Sequence, residues 1–315
     1  MSYFLVILLF IIGLILIIKG GDFFVDSAVW FAEVLNVPKF IIGATIVSFA
    51  TTLPELLVSL FASLQGKNVM AAGNAIGSVS ANLGLIMGIS LVCIPAAVKR
   101  REFAFKGILM VLTCTLLLLF SRDGNIGIAE SIIMLCLFIL FMTENTLAAK
   151  KHMSASERNE ASKSDFGKNI LLFIIGIAGI VAGSWLMVDN GSEIARMFGI
   201  SEEIISITII AVGTSLPELV TTITAISKKQ SSLSVGNIIG ANIIDLAIIL
   251  PVCSLVSGGT AAVEAQTYAV DIPVCLGISL IAVLPPLIFG KLYRTQGAFL
   301  LITYIAYIAF ACITL

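Results

Sequence analysis

Charged residues are scarce, making up 12% of the 315 residues against 59% that are hydrophobic. A water-soluble chain of this size carries roughly a quarter charged residues to solvate its surface, so a soluble globular domain is excluded, and so is disorder. Histidine occurs once, as His152, and the six cysteines (Cys93, Cys114, Cys136, Cys253, Cys275 and Cys312) all fall in apolar runs without a CxxC pair. Neither a zinc site nor a disulfide framework is supported, and the cysteines read as packing residues. An excess of either charge is also missing. Lys+Arg 18 against Asp+Glu 19 gives a net charge of −1, which offers no basic field for a nucleic-acid backbone, so no nucleic-acid partner is expected. No basic segment precedes the first apolar run, Tyr3 to Ile18, and no small-residue cleavage site follows it. That run reads as a retained span.

Long apolar runs are what the chain has in quantity. A bilayer core of about 30 Å needs about 20 apolar residues as helix. Ten such stretches lie near 2–33, 38–65, 69–96, 104–121, 126–148, 168–198, 202–227, 232–256, 268–290 and 296–314. Because no ten-residue alternating pattern repeats, helices are the spanning element, and the fold class is an all-α polytopic membrane protein. The polar stretch 149–167 reads as a flexible linker between a first five-helix unit, 1–148, and a second, 168–315. Loop charge sets the sidedness. With the N-terminus outside, fourteen of the 18 basic residues fall in inner loops, Lys67, Arg122 and Arg196 fall in outer ones, and Lys19 lies within the first span. The positive-inside rule then places both termini outside and the linker in the cytoplasm.

The two units repeat one another. At a constant offset of 163, Thr51-Thr52-Leu53-Pro54-Glu55 aligns with Thr214-Ser215-Leu216-Pro217-Glu218, and Gly73-Asn74-Ala75-Ile76-Gly77 aligns with Gly236-Asn237-Ile238-Ile239-Gly240. The same offset carries Asn82-Leu83 onto Asp245-Leu246, Gly20 onto Gly183 and Asp26 onto Asp189. Five spans separate each element from its copy. Five is odd, so the second half is expected to sit upside down relative to the first, about an axis in the membrane plane.

Glu55 and Glu218 lie deep in the second and seventh expected spans. A lone carboxylate at membrane depth costs several kcal/mol or more, so it faces the bundle interior and needs a partner. No span offers lysine or arginine at comparable depth, which leaves two outcomes: the glutamates are protonated, or they hold cations. Pro54 and Pro217 each remove a backbone donor and loosen the turn that carries Thr51-Thr52 or Thr214-Ser215, so carbonyls near Ser48 and Ala211 are expected to be freed. Hydroxyls, carbonyls and carboxylates are hard ligands that suit sodium and calcium and do not suit transition metals.

On the third and eighth spans, Gly73, Gly77, Gly84 and Gly88, and Gly236 and Gly240, are spaced for close helix contact. Ser78, Asn82 and Asp245 add polar groups at matching depth. Hydrogen bonding between helices is the plainer role for Ser78 and Asn82, whereas an intramembrane acid without a basic mate, as Asp245 is, reads as functional. Solvated positions near span ends are expected for Asp22, Asp26, Glu33, Asp189, Glu193, Glu202 and Glu203. Glu130 and Asp271 fall near the starts of the fifth and ninth spans, and His152 falls in a loop.

These paired Thr-[Thr/Ser]-Leu-Pro-Glu elements, each followed by Gly-Asn-x-Ile-Gly-[Ser/Ala]-x-x-x-[Asn/Asp], resemble the two α-repeats of the calcium/cation antiporter superfamily, in particular its prokaryotic sodium/calcium exchanger-like members. The resemblance covers essentially the whole chain. It implies ten helices in two inverted five-helix repeats, four ion sites around the two glutamates, and first and sixth helices that slide to expose the sites alternately. By motif position, Glu55, Glu218, Thr51 and Thr214 would surround calcium. Thr52, Ser215, Ser78 and the carbonyls of Ser48 and Ala211 would serve sodium, with Asn82 and Asp245 beside the central site.

Two departures stand out. Ala241 occupies a position where an ion-ligating serine is found in well-matched members, and Ala50-Thr51-Thr52 replaces the usual Gly-Thr-Ser, so the number of sodium ions, and sodium dependence itself, are left open. The expectation is a calcium-for-sodium antiporter of the inner cell membrane, with calcium, sodium and membrane lipid as its partners, no cofactor and no obligatory protein partner. A proton-coupled antiporter of the same fold is the alternative. An intramembrane acid/base enzyme and a passive channel are weaker readings, the first because no nucleophile or histidine set accompanies the acids.

Overall fold

The computed structural model describes residues 3–34, 48–98, 100–152, 166–219, 222 and 231–314. The architecture is all-helical apart from two short ribbons. The helices are α1 (Tyr3–Val34), α2 (Ser48–Thr51), α3 (Leu53–Leu64), α4 (Asn68–Ser80), α5 (Gly88–Cys93), α6 (Arg100–Phe120), α7 (Ile128–His152) and α8 (Phe166–Phe198). They continue with α9 (Glu202–Ile205), α10 (Ala211–Thr214), α11 (Ser231–Ile244), α12 (Leu250–Val256), α13 (Ile272–Phe289) and α14 (Arg294–Thr314). Four π-turns, Ala81–Met87, Ser206–Ile210, Asp245–Ile249 and Thr267–Asp271, join or extend them. The chain is a multi-pass membrane protein: among the described residues eight helical stretches are long and apolar enough to cross a bilayer. Large apolar side chains such as Phe4 (75% exposed) and Ile302 (64%) face outward, where acyl chains replace water as the solvent.

The expected second and seventh spans are not among those eight. Each is broken, at Thr52 and at Ser215, and parts of both fall outside the described residues. The expected linker 149–167 also differs, because α7 continues through His152 and α8 begins at Phe166. His152 therefore ends a helix and is not a loop residue. The rest of that stretch lies outside the described residues, as do Lys39, Arg158, Lys163, Lys228 and Lys229.

Burial sorts the helices into layers. In the stretches Asn68–Cys93 and Val235–Val256, 78% and 89% of the apolar window is buried, against at most 39% for the other six, so these two form the centre. Glycine brings them close to their neighbours: a Cβ built on Gly77 would lie 2.8 Å from the Cα of Ile207, and one on Gly88 2.8 Å from a Leu301 carbon. Gly236 and Gly240 do not pack this way. Nothing lies within 4 Å of a Cβ on Gly236, and Gly240 meets Phe141 at an ordinary 3.5 Å. The positions equivalent to Ser206 and Ile207 are 43 and 44, which are outside the described residues.

The longest helices pair with each other. At 32 and 33 residues, α1 and α8 reach about 48 Å, well beyond the hydrocarbon core. At its glycines the seam brings backbone against backbone. A Cβ on Gly13 would lie 2.9 Å from the Gly183 carbonyl oxygen and one on Gly183 2.6 Å from that of Gly13; Gly20 and Gly176 meet each other's carbonyls at 2.8 Å. Offset by 163, Gly13 corresponds to Gly176 and Gly20 to Gly183, so the first contact is the image of the second. The ribbons behave alike. β1 (Ala96–Ala97) pairs antiparallel with β4 (Lys291–Leu292), and β2 (Asn125–Ile126) with β3 (Ala261–Ala262).

Small residues at this seam set how close the two helices sit. Gly183→Ala should therefore lower the melting temperature in detergent, at a cost of about 1–3 kcal/mol from overpacking. Gly21→Ala, where nothing lies within 4 Å, should leave it unchanged or raise it. Equal melting temperatures for the two variants would contradict the packing described.

Candidate ion-binding site

Both helix breaks have the same local cause. Pro54 and Pro217 cannot donate to the carbonyl four residues back, and at the residue two before each ψ opens to near zero, Thr52 at φ −84°, ψ −4° and Ser215 at φ −82°, ψ 8°. The chain then resumes as α3 and as helix over 216–219. One expectation fails here. The Ser48 and Ala211 carbonyls are not freed: Ser48 O accepts from the Thr52 amide at 3.2 Å, and Ala211 O from the Ser215 amide at 3.1 Å. Proline acts at position i−4, so the carbonyls it deprives are those of Ala50 and Gly213. Hydroxyls cluster instead on Ser48 O, which accepts from Thr51 at 3.2 Å and Thr52 at 2.8 Å, while Thr214 donates to Ala211 O at 3.2 Å.

Glu55, Glu218 and Asp245 are each 0% exposed. The charges of Glu218 and Asp245 both act on Glu55, which places three acids in one electrostatic neighbourhood. Ser215 donates its hydroxyl to Glu55 Oε1 at 3.1 Å, and Thr51 lies near enough to Glu218 to act on it. Glu55 is thus held by a hydroxyl from the other half's broken helix, and Glu218 has a threonine of the first half's broken helix beside it. Glu55 Oε2 and both oxygens of Asp245 receive no hydrogen bond. The ion pairs among the described residues, Lys19 with Asp22 and Arg196 with Glu193, are exposed and give these acids no counter-charge.

Other expected residues form bridges between helices. Ser78 Oγ lies 3.4 Å from Thr214 Oγ1, and Asn82 donates to Asn242 Oδ1 at 3.0 Å, leaving Asn82 Oδ1 without a partner. The Ser48 hydroxyl donates to Asn237 Oδ1 at 2.7 Å. Asn82 and Asp245 both fall in π-turns, at equivalent positions of the two halves. Such wide turns recur at functional sites because they interrupt the regular ladder.

Two participants did not stand out in the sequence as site residues. Asn74 donates to the Glu55 carbonyl at 3.1 Å and to Ser59 Oγ at 2.9 Å, and its Oδ1 accepts from Thr214 at 3.3 Å, tying the first acid's backbone to the second half. Its recurrence as Asn237 was the available signal. Asn242 corresponds to Val79 in the other half, so the repeat gave none. Among the acids expected to be solvated, Asp26 and Asp189 are exposed but Glu203 is only 2% exposed; Asp271, expected near the start of the ninth span, is 0% exposed. The side chain of Glu33 lies outside the described residues.

Among the described residues no three of His, Cys, Asp and Glu converge closely enough to hold a metal by themselves. A cation held here must therefore also draw on hydroxyl, amide and carbonyl oxygens, the ligand class of sodium and calcium.

The family profile described as sodium/calcium exchanger protein matches residues 5–146 and 168–313. The chain belongs to the sodium/calcium exchanger family. An uncharacterized membrane protein of Methanocaldococcus jannaschii is 33% identical over 95% of this chain and 96% of its own. The sodium/calcium exchanger MaX1 of Methanosarcina acetivorans is 29% identical over 96% and 97%. Among solved structures, the sodium-calcium exchanger NCX_Mj, soaked with sodium and strontium, superposes with a TM-score of 0.70 at 32% identity, covering 98% of this chain and 99% of its own.

In this exchanger-family chain, Asp245 is a buried acid whose two oxygens receive no donor, so its charge destabilises the ion-free fold. Asp245→Asn should raise the melting temperature measured without sodium and with a chelator present, by about 1–3 kcal/mol in equivalent stability. A lowered melting temperature would show that the carboxylate is satisfied in some way not described here.

Proposed function

We propose that the chain is a secondary-active antiporter that exchanges calcium for sodium across the inner cell membrane by alternating access. The observation that carries this reading is the burial of Glu55, Glu218 and Asp245 together, with hydroxyls around them and, among the described residues, no basic side chain to balance them. Glu55, Glu218, Thr51 and Thr214 surround calcium. Thr52, Ser215, Ser78, Ser48 and Ala211 supply sodium ligands, and Asn82 and Asp245 stand beside the central position. The Ser48 and Ala211 carbonyls become available when an ion draws the neighbouring hydroxyls toward itself, since each already accepts from a threonine that can rotate.

Ten spans in two inverted halves, residues 1–148 and 168–315, complete the reading, with both termini outside and 149–167 in the cytoplasm. The reciprocal glycine contacts of α1 with α8 support a two-fold relation between halves, because an isologous contact occurs in pairs. So do the ribbons, where the loop after the third span pairs with the loop before the tenth, and the loop after the fourth with the loop before the ninth.

Calcium and sodium compete for overlapping oxygens, so both cannot fill the site at once, and that competition enforces exchange. An unfilled site leaves bare carboxylates, whose passage through the apolar barrier is costly; filling neutralises them and lets the first and sixth helices slide, which suppresses leak. Proton coupling is a second reading, favoured by Ala241, which is fully buried where a ligating hydroxyl is expected.

Glu55→Gln or Glu218→Gln should reduce sodium-gradient-driven calcium flux into proteoliposomes to background; normal flux in either variant would contradict the assignment. Calcium uptake driven by a pH gradient in sodium-free buffer would select the proton-coupled reading.

A further inference from the structure

Two buried acids take no part in the site described above. Glu203 lies on α9 and Asp271 ends the π-turn Thr267–Asp271 that leads into α13; they are 2% and 0% exposed. Their carboxyls act on each other, and Thr267, one helical turn before Asp271, is the residue that reaches Glu203. Thr267 donates its hydroxyl to Glu203 Oε1, and Tyr307 of α14 donates to Asp271 Oδ1 at 2.9 Å. Asp271 Oδ2 is buried and receives no hydrogen from any hydroxyl or amide.

Among the described residues the surroundings hold no cation for the pair. Glu264, in the segment before the π-turn, faces Glu203, while Cys275 and Tyr304 lie beside Tyr307. Helix α4, which packs against both α9 and the π-turn, carries no acid or base. On α8, which also packs against α9, Arg196 is engaged with Glu193, and neither it nor any other basic group acts on Glu203 or Asp271.

An ionised carboxylate has acceptors only, so two carboxyls can bond to each other only when one of them carries hydrogen. Two like charges in contact in a dry setting cannot both persist. We propose that Glu203 and Asp271 form a proton-binding site, separate from the ion site, in which one shared hydrogen ties α9 to α13 and, through Tyr307, to α14. Helix α9 leads through the π-turn Ser206–Ile210 into α10, which carries Thr214, so the clasp fixes one end of a broken helix of the ion site. Removing the hydrogen leaves two charges that repel, and α9 is released. Nearby, the Glu264 carboxyl is raised above its ordinary value, first by partial burial and then by the charge of Glu203. A raised carboxyl holds its hydrogen more firmly in the folded chain, so its contribution is full at low pH and is lost as pH rises through the folded value. Pair and neighbour therefore act in the same direction.

Infrared difference spectroscopy of the detergent-solubilised full chain tests the proposal without relying on transport. Subtracting Glu203→Gln from the wild-type spectrum at neutral pH should reveal the carbonyl band of one protonated carboxyl, because the glutamine amide can donate to an ionised Asp271. Asp271→Asn should lose the same band, and the double variant should lose no more than either single one. Two separable bands, or no band lost in either variant, would overturn the shared proton. Should the variants fail to fold, titration of the wild-type protein decides: a protonated-carboxyl band that disappears at alkaline pH, together with loosened protection of α9 amides from hydrogen exchange, is expected. Unchanged exchange protection of α9 across that titration would overturn the clasp. These readouts are independent of which ions are exchanged, so their failure leaves the antiport reading untouched, and failure of antiport leaves them intact.

Discussion

Negative charge buried without a positive neighbour is the constraint on which the rest of the structure depends. Glu55, Glu218 and Asp245 are fully enclosed by helices whose described residues offer them no lysine or arginine. In a medium that cannot solvate them, such groups persist only with protons or cations for company. The helix breaks at Thr52 and Ser215, the hydroxyls of Thr51 and Ser215 beside the opposite half's glutamate, and the amide bridge of Asn74 all bring oxygen toward these carboxyls. A protein built only for stability would place apolar side chains there.

Movement requires a second feature, a surface on which the helices can shift without losing their packing. Along the α1 and α8 seam backbone meets backbone at Gly20 and Gly176, and at Gly13 and Gly183 the carbonyls approach with Leu186 and Ile17 packed beside them. Backbone contact of this kind permits translation more readily than knobs in holes. The central stretches differ in kind: Asn68–Cys93 and Val235–Val256 are mostly buried and bridged by buried polar pairs such as Asn82 with Asn242. The structure thus combines a fixed polar centre with a glycine-seamed pair of long helices at its flank.

Much of this was legible in the sequence because the repeat preserves residues that an ordinary apolar span would not select. Pro54 with Glu55 and Pro217 with Glu218 mark the breaks, and Asn82 with Asp245 mark polar groups at matching depth, whose wide turns only the fold reveals. Legibility failed where the physics is not carried by the repeat. Asn242 has no equivalent polar residue in the first half, so only the fold reveals that it meets Asn82. Which carbonyl proline deprives follows from i−4 arithmetic, yet Ser48 and Ala211 keep their own bonds because the turn tightens around the threonine hydroxyls. Glu203 sits at a helix start, where a linear reading expects solvent, yet it is buried with Thr267 on its carboxyl, and α14 brings Tyr307 onto Asp271.

The claim that mobile inorganic charge completes the site is open to direct observation. Crystals soaked in strontium should show anomalous density between the carboxyls of Glu55 and Glu218, and that density should fade as sodium in the soak is raised. Absence of density there, in protein that demonstrably exchanges calcium, would contradict the account.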